Sequence, residues 1–449
     1  MDRREAGKQV GRHWMEAVRD TSDFCATMSA DARAARADRQ FAALAARERS
    51  VRAFVCHDAR AARRQLAISA AGPLGGALIG VKDIISTEAF PTRCGLDDPD
   101  LTSPRHDAWC VARARLLGGV LLGKTVCTAF AYPRPGPTTN PHDARRSPGG
   151  SSSGSAAAVA AGFVSFAFGT QTAGSTIRPA SYCGVVGFKP SYGLLPTEGI
   201  APISTTLDHV GVFAVSPRDA WYLVSAMVLQ RAEILTARRP RRVLVPYLPT
   251  KLPQEDGYKE RLAALVAALR ADGMVVDTPE LPIPTEDFCN LQQEICYWEA
   301  ARILLAPGRM RVLPELVTLL GPYLDCDTDC YVDARRRRQR LQECFDAFAA
   351  GYDAVLSPAA TGAAPPVTTT GDAVMNRIWT ALHVPAISVP FWVSAEGLPL
   401  GLQLVGPLGT DRALVETAQW FHERELDERR TQDQRTHERQ PHEQRVGGQ

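Results

Sequence analysis

Apolar positions recur at helical spacing through residues 1–70, where Phe41, Leu44, Val51 and Phe54 stand out of an Ala/Arg-rich background. The pattern predicts a helical lead-in with its arginines on a solvated face. From residue 71 the pattern changes. AAGPLGGALIGVKDIIS reads as a turn and a short apolar strand ending on Lys82 and Asp83. DAWCVARARLLGG then has helical spacing and closes on a glycine pair, and VLLGKT is the strand after it. The loop from Tyr132 to Gly150 is too rich in Pro, Gly and Asn for a regular element. GSSSGSAAAVAAG predicts a helix ended by Gly162, FVSFAFGT a buried strand, GTQTAGS a turn of small residues, and IRPASYCGVVGFKP further turns and a short strand.

The second half continues the alternation. RRVLVPYLP and MVVDTPELP are strands on either side of the amphipathic helix YKERLAALVAALRADG. Helical material follows as far as Phe348 and includes the basic run Arg335 to Arg338, read as a solvated face. YDAVLSPAA, PAISVPFWVSAEGLPLGLQLVG and the helix DRALVETAQWFHERE complete the core. This rhythm implies an α/β sandwich around a largely buried sheet. Residues 426–449 carry almost no apolar side chain and predict a disordered charged tail.

Composition narrows the class. Apolar residues make up 45% and charged residues 22%, the balance of a soluble globular protein. With 51 basic against 49 acidic residues, nothing argues for nucleic acid or a membrane surface as partner. The charged start predicts no secretory signal, and the nearest approach to a membrane span, Ser155–Phe168, holds too much Gly, Ser and Ala. Eleven scattered cysteines suit a reducing cytoplasm. Cys326 and Cys330 form the one close pair, but no His lies near them, so a polar helix start is expected there rather than a metal site.

The candidate chemistry sits in residues 147–177, where no ionisable charged side chain occurs. One reading is a phosphate cradle opening a helix, but neither a P-loop ending nor GxGxxG is present. A second takes Gly150, Ser152 and Gly154 as a nucleophile elbow, with Asp353 and His383 as nominal partners; that motif needs a strand before the serine, and ARRSPG stands there instead. A third joins Lys82, a serine of GGSSSGS and Ser175. Lys82 ends an uncharged stretch reaching back to Arg64, and desolvation lowers a lysine's pKa, although an ion pair with Asp83 would cancel that. A serine needs something to remove its proton, and a small-residue turn leaves amides free to face an oxyanion. Residue chemistry alone does not say which serine does what.

Over residues 70–220 and 350–420 the chain resembles the amidase signature family, and it is the malonamidase-like variant of the motif that it matches. The residues carrying the likeness are GPLGGALIGVKDII, DAWCVARARLLGGVLLGKT, GPTTNP, PGGSSSGSAAAVAAG, GTQTAGSTIRPASYCGVVGFKPSYG, LDHVGVFAVS and VPAISVPFWVSAEGLPLGLQLVG. The resemblance implies one large α/β/α domain over 71–425 around a mixed, mostly buried sheet, with 1–70 as its lead-in and 240–350 as a variable, largely helical substrate-side region. It implies Ser175 as nucleophile, Ser151 in a cis peptide as the bridging serine, Lys82 as base, and backbone N–H groups of Thr172, Ala173, Gly174 and Ser175 as oxyanion donors. No cofactor or metal is expected. The substrate would be a small-molecule amide, cleaved with release of ammonia or an amine, and a homodimer is compatible with the reading.

Departures from the commoner motif refine this. Gln171 and Ala173 replace Asp and Gly, Ala129 replaces Glu, and Arg178 lies three residues after Ser175 rather than two. That spacing is similar to malonamidase-like members, in which the Arg binds a substrate carboxylate through its planar fork, and it argues against an amidotransferase A subunit; the other reading of Arg178 is a structural arginine on loop carbonyls. The alternatives are an amidotransferase A-type subunit supplying ammonia to a partner, and an amidase-fold protein that only binds.

Overall fold

The computed structural model describes residues 24, 29–68, 72–97, 106–132, 134–249, 257–306 and 313–425. The tail expected at 426–449 lies outside them. Helix α1 (Ala30–Val51) starts on Ser29, whose hydroxyl accepts from the Ala32 amide, and stops at Arg52 in the left-handed region. The Glu48 carboxylate then takes the amides of Ala53 and Phe54 and turns the chain into β1 (Phe54–His57). Phe54 therefore belongs to a strand. Phe41, Leu44 and Val51 are the buried face of the helix before it.

Helix α2 (Ala59–Ile68) leads to β2 (Leu78–Lys82), and α3 (Trp109–Leu116) to β3 (Val120–Thr125). Next come α4 (Ser153–Ala160), β4 (Phe166–Gln171), α5 (Ile177–Cys183), β5 (Val186–Lys189), β6 (His209–Ala214) and α6 (Pro217–Leu229). Beyond these are β7 (Arg242–Leu244), α7 (Tyr258–Ala271) and β8 (Val275–Asp277), and then α8 (Thr285–Leu304), α9 (Pro314–Leu320) and α10 (Thr328–Ala349). The described chain ends with β9 (Ala354–Pro358), α11 (Val374–Ala381), β10 (Ala386–Val393), β11 (Pro399–Val405) and α12 (411–425).

The strands form one 11-stranded sheet in the order β1-β3-β2-β4-β6-β5-β10-β11-β9-β7-β8. It is mixed: β2 runs parallel to β3 and β4, whereas β4, β6, β5, β10, β11 and β9 pair antiparallel in that order. Strands β2, β3, β4 and β6 are buried along their whole length because helices cover both faces. Their side chains alternate between two cores. Leu78, Val120, Leu122, Ala167 and Phe213 face α1 and α4, while Ile79, Val81, Leu121, Phe168 and Val212 face α3 and α6.

Two local expectations change. The stretch after Ser175 is a helix, α5, and not a series of turns. Gln171 accepts the otherwise orphaned amides of Thr176 and Ile177, Pro179 sits in the first turn, and Gly184 closes the helix with φ 64°. The basic run is not merely a solvated face either. Arg337 reaches from α10 to Asp287 and Glu294 on α8, clamping the two helices, and Arg338 meets His383. Cys326 and Cys330 flank the start of α10, which Asp327 caps by accepting the Asp329 amide. Among the described residues no helix is long and apolar enough to cross a membrane.

Helix α4 is buried on every side, and Gly154 shows how closely. A β-carbon there would lie 2.1 Å from the Ala53 carbonyl oxygen and 2.4 Å from the Val126 amide. Helix propensity alone favours alanine over glycine by about 1 kcal/mol. Gly154→Ala should nevertheless destabilise the fold by about 1–3 kcal/mol through overpacking. A urea midpoint equal to or above wild type would show that the contact gives way.

Candidate active site

Lys82, at the end of β2, is fully buried, and among the described residues no acid lies in hydrogen-bond reach of it. Its Nζ donates to Ser151 Oγ at 2.6 Å and to Thr170 Oγ1 at 2.7 Å. Burial pushes its pKa down from 10.5 to about 8, only partly opposed by the nearby Cys127 and Asp208. The displacement is worth on the order of 3 kcal/mol against the ammonium. Hydroxyls suit this site because they can donate as well as accept, and so satisfy the amine in either protonation state.

The ion pair with Asp83 does not form. Asp83 takes the amides of Arg93 and Gly95 and lies 3.8 Å from Lys124, whose Nζ also donates to the Ile85 carbonyl and Thr92. The β-strand alternation sends Lys82 and Asp83 to different neighbours.

Ser151 begins the Ser-rich turn before α4, and the Gly150–Ser151 peptide is cis. Arg178, in the first turn of α5, ties this loop to the segment of Ser175 by donating from Nη2 to the Gly150 carbonyl at 2.7 Å. Ser152 points elsewhere: its hydroxyl bonds the backbone of Thr170 in β4. Asp353 caps β7 through the Arg241 and Arg242 amides, and His383 is stacked on Tyr192 and bonded to the Thr206 carbonyl. The elbow constellation is therefore not assembled.

Ser175 follows β4 at the end of the turn 172–175. Every carbonyl of the first three residues of that turn is held. Gln292 Nε2 donates to the Thr172 oxygen at 2.8 Å, Thr380 Oγ1 to the Ala173 oxygen at 2.6 Å, and the Arg178 amide to the Gly174 oxygen at 3.1 Å. In a trans peptide the N–H points opposite to the C=O. Holding three carbonyls thus turns the amides of Ala173, Gly174 and Ser175 the other way, and among the described residues they have no backbone acceptor. Gly174 leaves no room for a side chain, since its β-carbon would meet Asn376 Oδ1 at 2.5 Å. The Thr172 hydroxyl donates to Asp208 at 2.5 Å; burial raises that carboxyl to about 6 despite this bond and those from the Ile203 and Ser204 amides.

Gln171 explains its own departure from the commoner motif. Its Oε1 caps α5 as a carboxylate could, but its Nε2 also donates to Thr380 Oγ1 at 3.0 Å, the hydroxyl that holds Ala173. Sequence reasoning misses Gln292, Asn376 and Thr380 because each meets the turn from more than a hundred residues away. Thr170 is in view within GTQTAGS, but only the packing of β4 beside β2 brings it to Lys82.

Ser175, Thr172, Ala173 and Arg178 line a cleft of about 290 Å³, together with Gln292, Tyr297, Phe130 and residues of α9 and α11. Phe130 and Ala131 enter its wall from left-handed backbone, φ 47° and 57°, at the site of the Ala129 departure. Arg178 is 5% exposed and among the described residues its buried Nε has no hydrogen-bond partner, so the guanidinium is only partly used by the Gly150 carbonyl.

Known proteins share this arrangement of chain. The Amidase family matches residues 32–302 and 318–415. A relative from Exiguobacterium sibiricum, named as the A-type subunit of a glutamyl-tRNA(Gln) amidotransferase, is 30% identical over 414 residues, covering 80% of this chain and 85% of that one. A solved structure described as an amidase has a TM-score of 0.79 at 29% identity and covers 94% of this chain and all of that one. Peptide amidase from Stenotrophomonas maltophilia has a TM-score of 0.72 at 27% identity, covering 88% of this chain and 94% of that one.

The electrostatics can be read directly. In protein carrying ¹³C-labelled lysine, the signal lost in Lys82→Met should titrate near pH 8. Lys189, another buried lysine, falls to about 7, so the variant is needed for assignment. A Lys82 midpoint above 10 would mean the site stabilises the ammonium.

Proposed function

The chain belongs to the amidase family, and from that we propose that it cleaves the carbon–nitrogen bond of an amide through an acyl-enzyme on Ser175, releasing ammonia. The observation carrying this reading is the buried Lys82 amine, bonded to the Ser151 hydroxyl and, among the described residues, paired with no acid. A neutral amine at that place is a base within a water-poor site.

Lys82 takes the proton of Ser151 as Ser151 takes that of Ser175, and Ser175 Oγ attacks the amide carbon. The oxyanion accepts hydrogen bonds from the backbone N–H groups of Thr172, Ala173, Gly174 and Ser175. The proton returns through Ser151 to the departing nitrogen as the C–N bond breaks. Water then attacks the ester by the same route, and the carboxylic acid leaves with Ser175 restored. Arg178, whose side chain lines the cleft and whose Nη2 holds the Gly150 carbonyl, binds a polar or carboxylate group of the substrate through the rest of its guanidinium.

What becomes of the ammonia separates two forms of this function. The name of the Exiguobacterium relative weighs for an amidotransferase component, which hands ammonia to a partner, more than for a free-standing hydrolase of linear amides. The spacing of Arg178 and the presence of Gln171 weigh the other way. Both forms share the step at Ser175. The free thiols of the described cysteines suit a reducing compartment, in keeping with a cytoplasmic enzyme.

Ammonia release from an amide panel by the purified chain tests the reading. Ser175→Ala should lower the rate by about 10³-fold or more, and Ser152→Ala should leave most of it. The reverse outcome would move the nucleophile to Ser152. A free-standing hydrolase turns over alone, whereas an amidotransferase component needs its ammonia-accepting partner for full activity. Arg178→Ala should raise KM for acidic amides by about tenfold or more while changing neutral amides little, the loss expected for one charge-assisted contact. Equal effects on both classes would leave Arg178 only its bond to Gly150.

A further inference from the structure

The cleft in front of Ser175 has a direction. Gln292, Cys296, Ala300 and Leu304 line it at intervals of four residues, so a single stripe of α8 forms its wall. From Gln292 to Leu304 that stripe is about 18 Å long at the helical rise per residue. The Gln292 amide is pinned to the Thr172 carbonyl, which fixes the Gln292 end beside Ser175. Away from that end the wall changes from amide to thiol to methyl to isobutyl.

The charges gather around Arg178, and Arg377 also acts on Tyr297. Among the described residues lining the cleft, Arg178, Asp372 and Arg377 are the charged ones; Arg377 lies 3.4 Å from Asp372, and both act electrostatically on Arg178. Farther along, Leu316, Leu319 and Leu320 of α9 line the same space as Leu304. Tyr297 sits in mid-stripe, where its hydroxyl accepts from Gln293 Nε2 at 3.0 Å and keeps its own proton to donate. Burial pushes the Cys296 thiol well up, so it is neutral. A polar group placed against Ala300, Leu304 and the leucines of α9 would lose its hydration without a partner from them.

We propose that the substrate carries an extended apolar acyl group, lying along α8 from Ser175 toward α9. This rests on the hydrolytic reading above, in which ammonia leaves and the cleft must hold the acyl part. The leucines of α8 and α9 also pack with one another in the core, which makes the wall rigid and limits the acyl group to a slender chain. Small polar amides fill only the near end.

A homologous series from acetamide to octanamide tests this. In the wild-type protein kcat/KM should rise about fourfold per methylene over the first several members, the increment expected for a buried methylene. Ala300→Phe, which fills the middle of the stripe, should flatten the rise beyond butanamide. If that variant does not fold, Leu304→Asn should lower the octanamide to acetamide ratio by about tenfold or more. Calorimetric binding of the same amides to Ser175→Ala separates the cleft from the chemistry. Affinity rising with chain length there, without turnover in wild type, would keep the acyl cleft and reject the hydrolytic reading. A flat or falling series in both turnover and binding overturns the proposal, as does an unchanged slope in the folded variants.

Discussion

Everything at the site depends on one lysine kept out of water with, among the described residues, no carboxylate in hydrogen-bond reach. An ammonium in that position would ordinarily be matched by a carboxylate, and the nearest in sequence, Asp83, is turned toward Lys124 instead. What remains is an amine between two hydroxyls, Ser151 and Thr170, whose donors and acceptors can follow its protonation. The sheet enforces this arrangement, because β2 has strands on both sides and helices over both faces. No water-facing route is left for the side chain.

The second constraint is the turn at 172–175. Its carbonyls are held by Gln292, Thr380 and the first turn of α5, which turns the amides of Ala173, Gly174 and Ser175 the opposite way. Two of these holders come from α8 and α11, helices outside the central strands. The helical region that shapes the cleft therefore also orients the backbone of the turn. Gln171 joins the two functions, since it caps α5 with one atom and holds Thr380 with another. A motif departure that reads as a loss in sequence is a connection in the fold.

Much of the framework is legible from pattern. The strands at Lys82, Val120 and Phe166 announce themselves through unbroken apolar runs, because strands buried on both faces need no alternation. The helix after Ser175 cannot be read that way. Pro179 and the small residues around it look like turn chemistry, and the cap from the Gln171 side chain, five and six residues back, is what opens the helix. The strand at Phe54 is hidden for a similar reason: the helical pattern runs on, but Glu48 folds back onto the following amides and ends the helix.

The sequence by itself determined the class of fold and the uncharged Gly/Ser segment, and through family resemblance it raised the expectation that Lys82, Ser151 and Ser175 carry the chemistry. These are local properties, carried by composition, by period and by short spacings. Only the tertiary structure decided that Lys82 meets hydroxyls rather than Asp83, that Arg178 bonds the Gly150 carbonyl while facing the cleft, and that Gln292 sets the turn across 120 residues. Such contacts have no period and no spacing. They exist because separate elements are packed against one sheet, and the burial that packs them also removes the water that would otherwise compete for each bond.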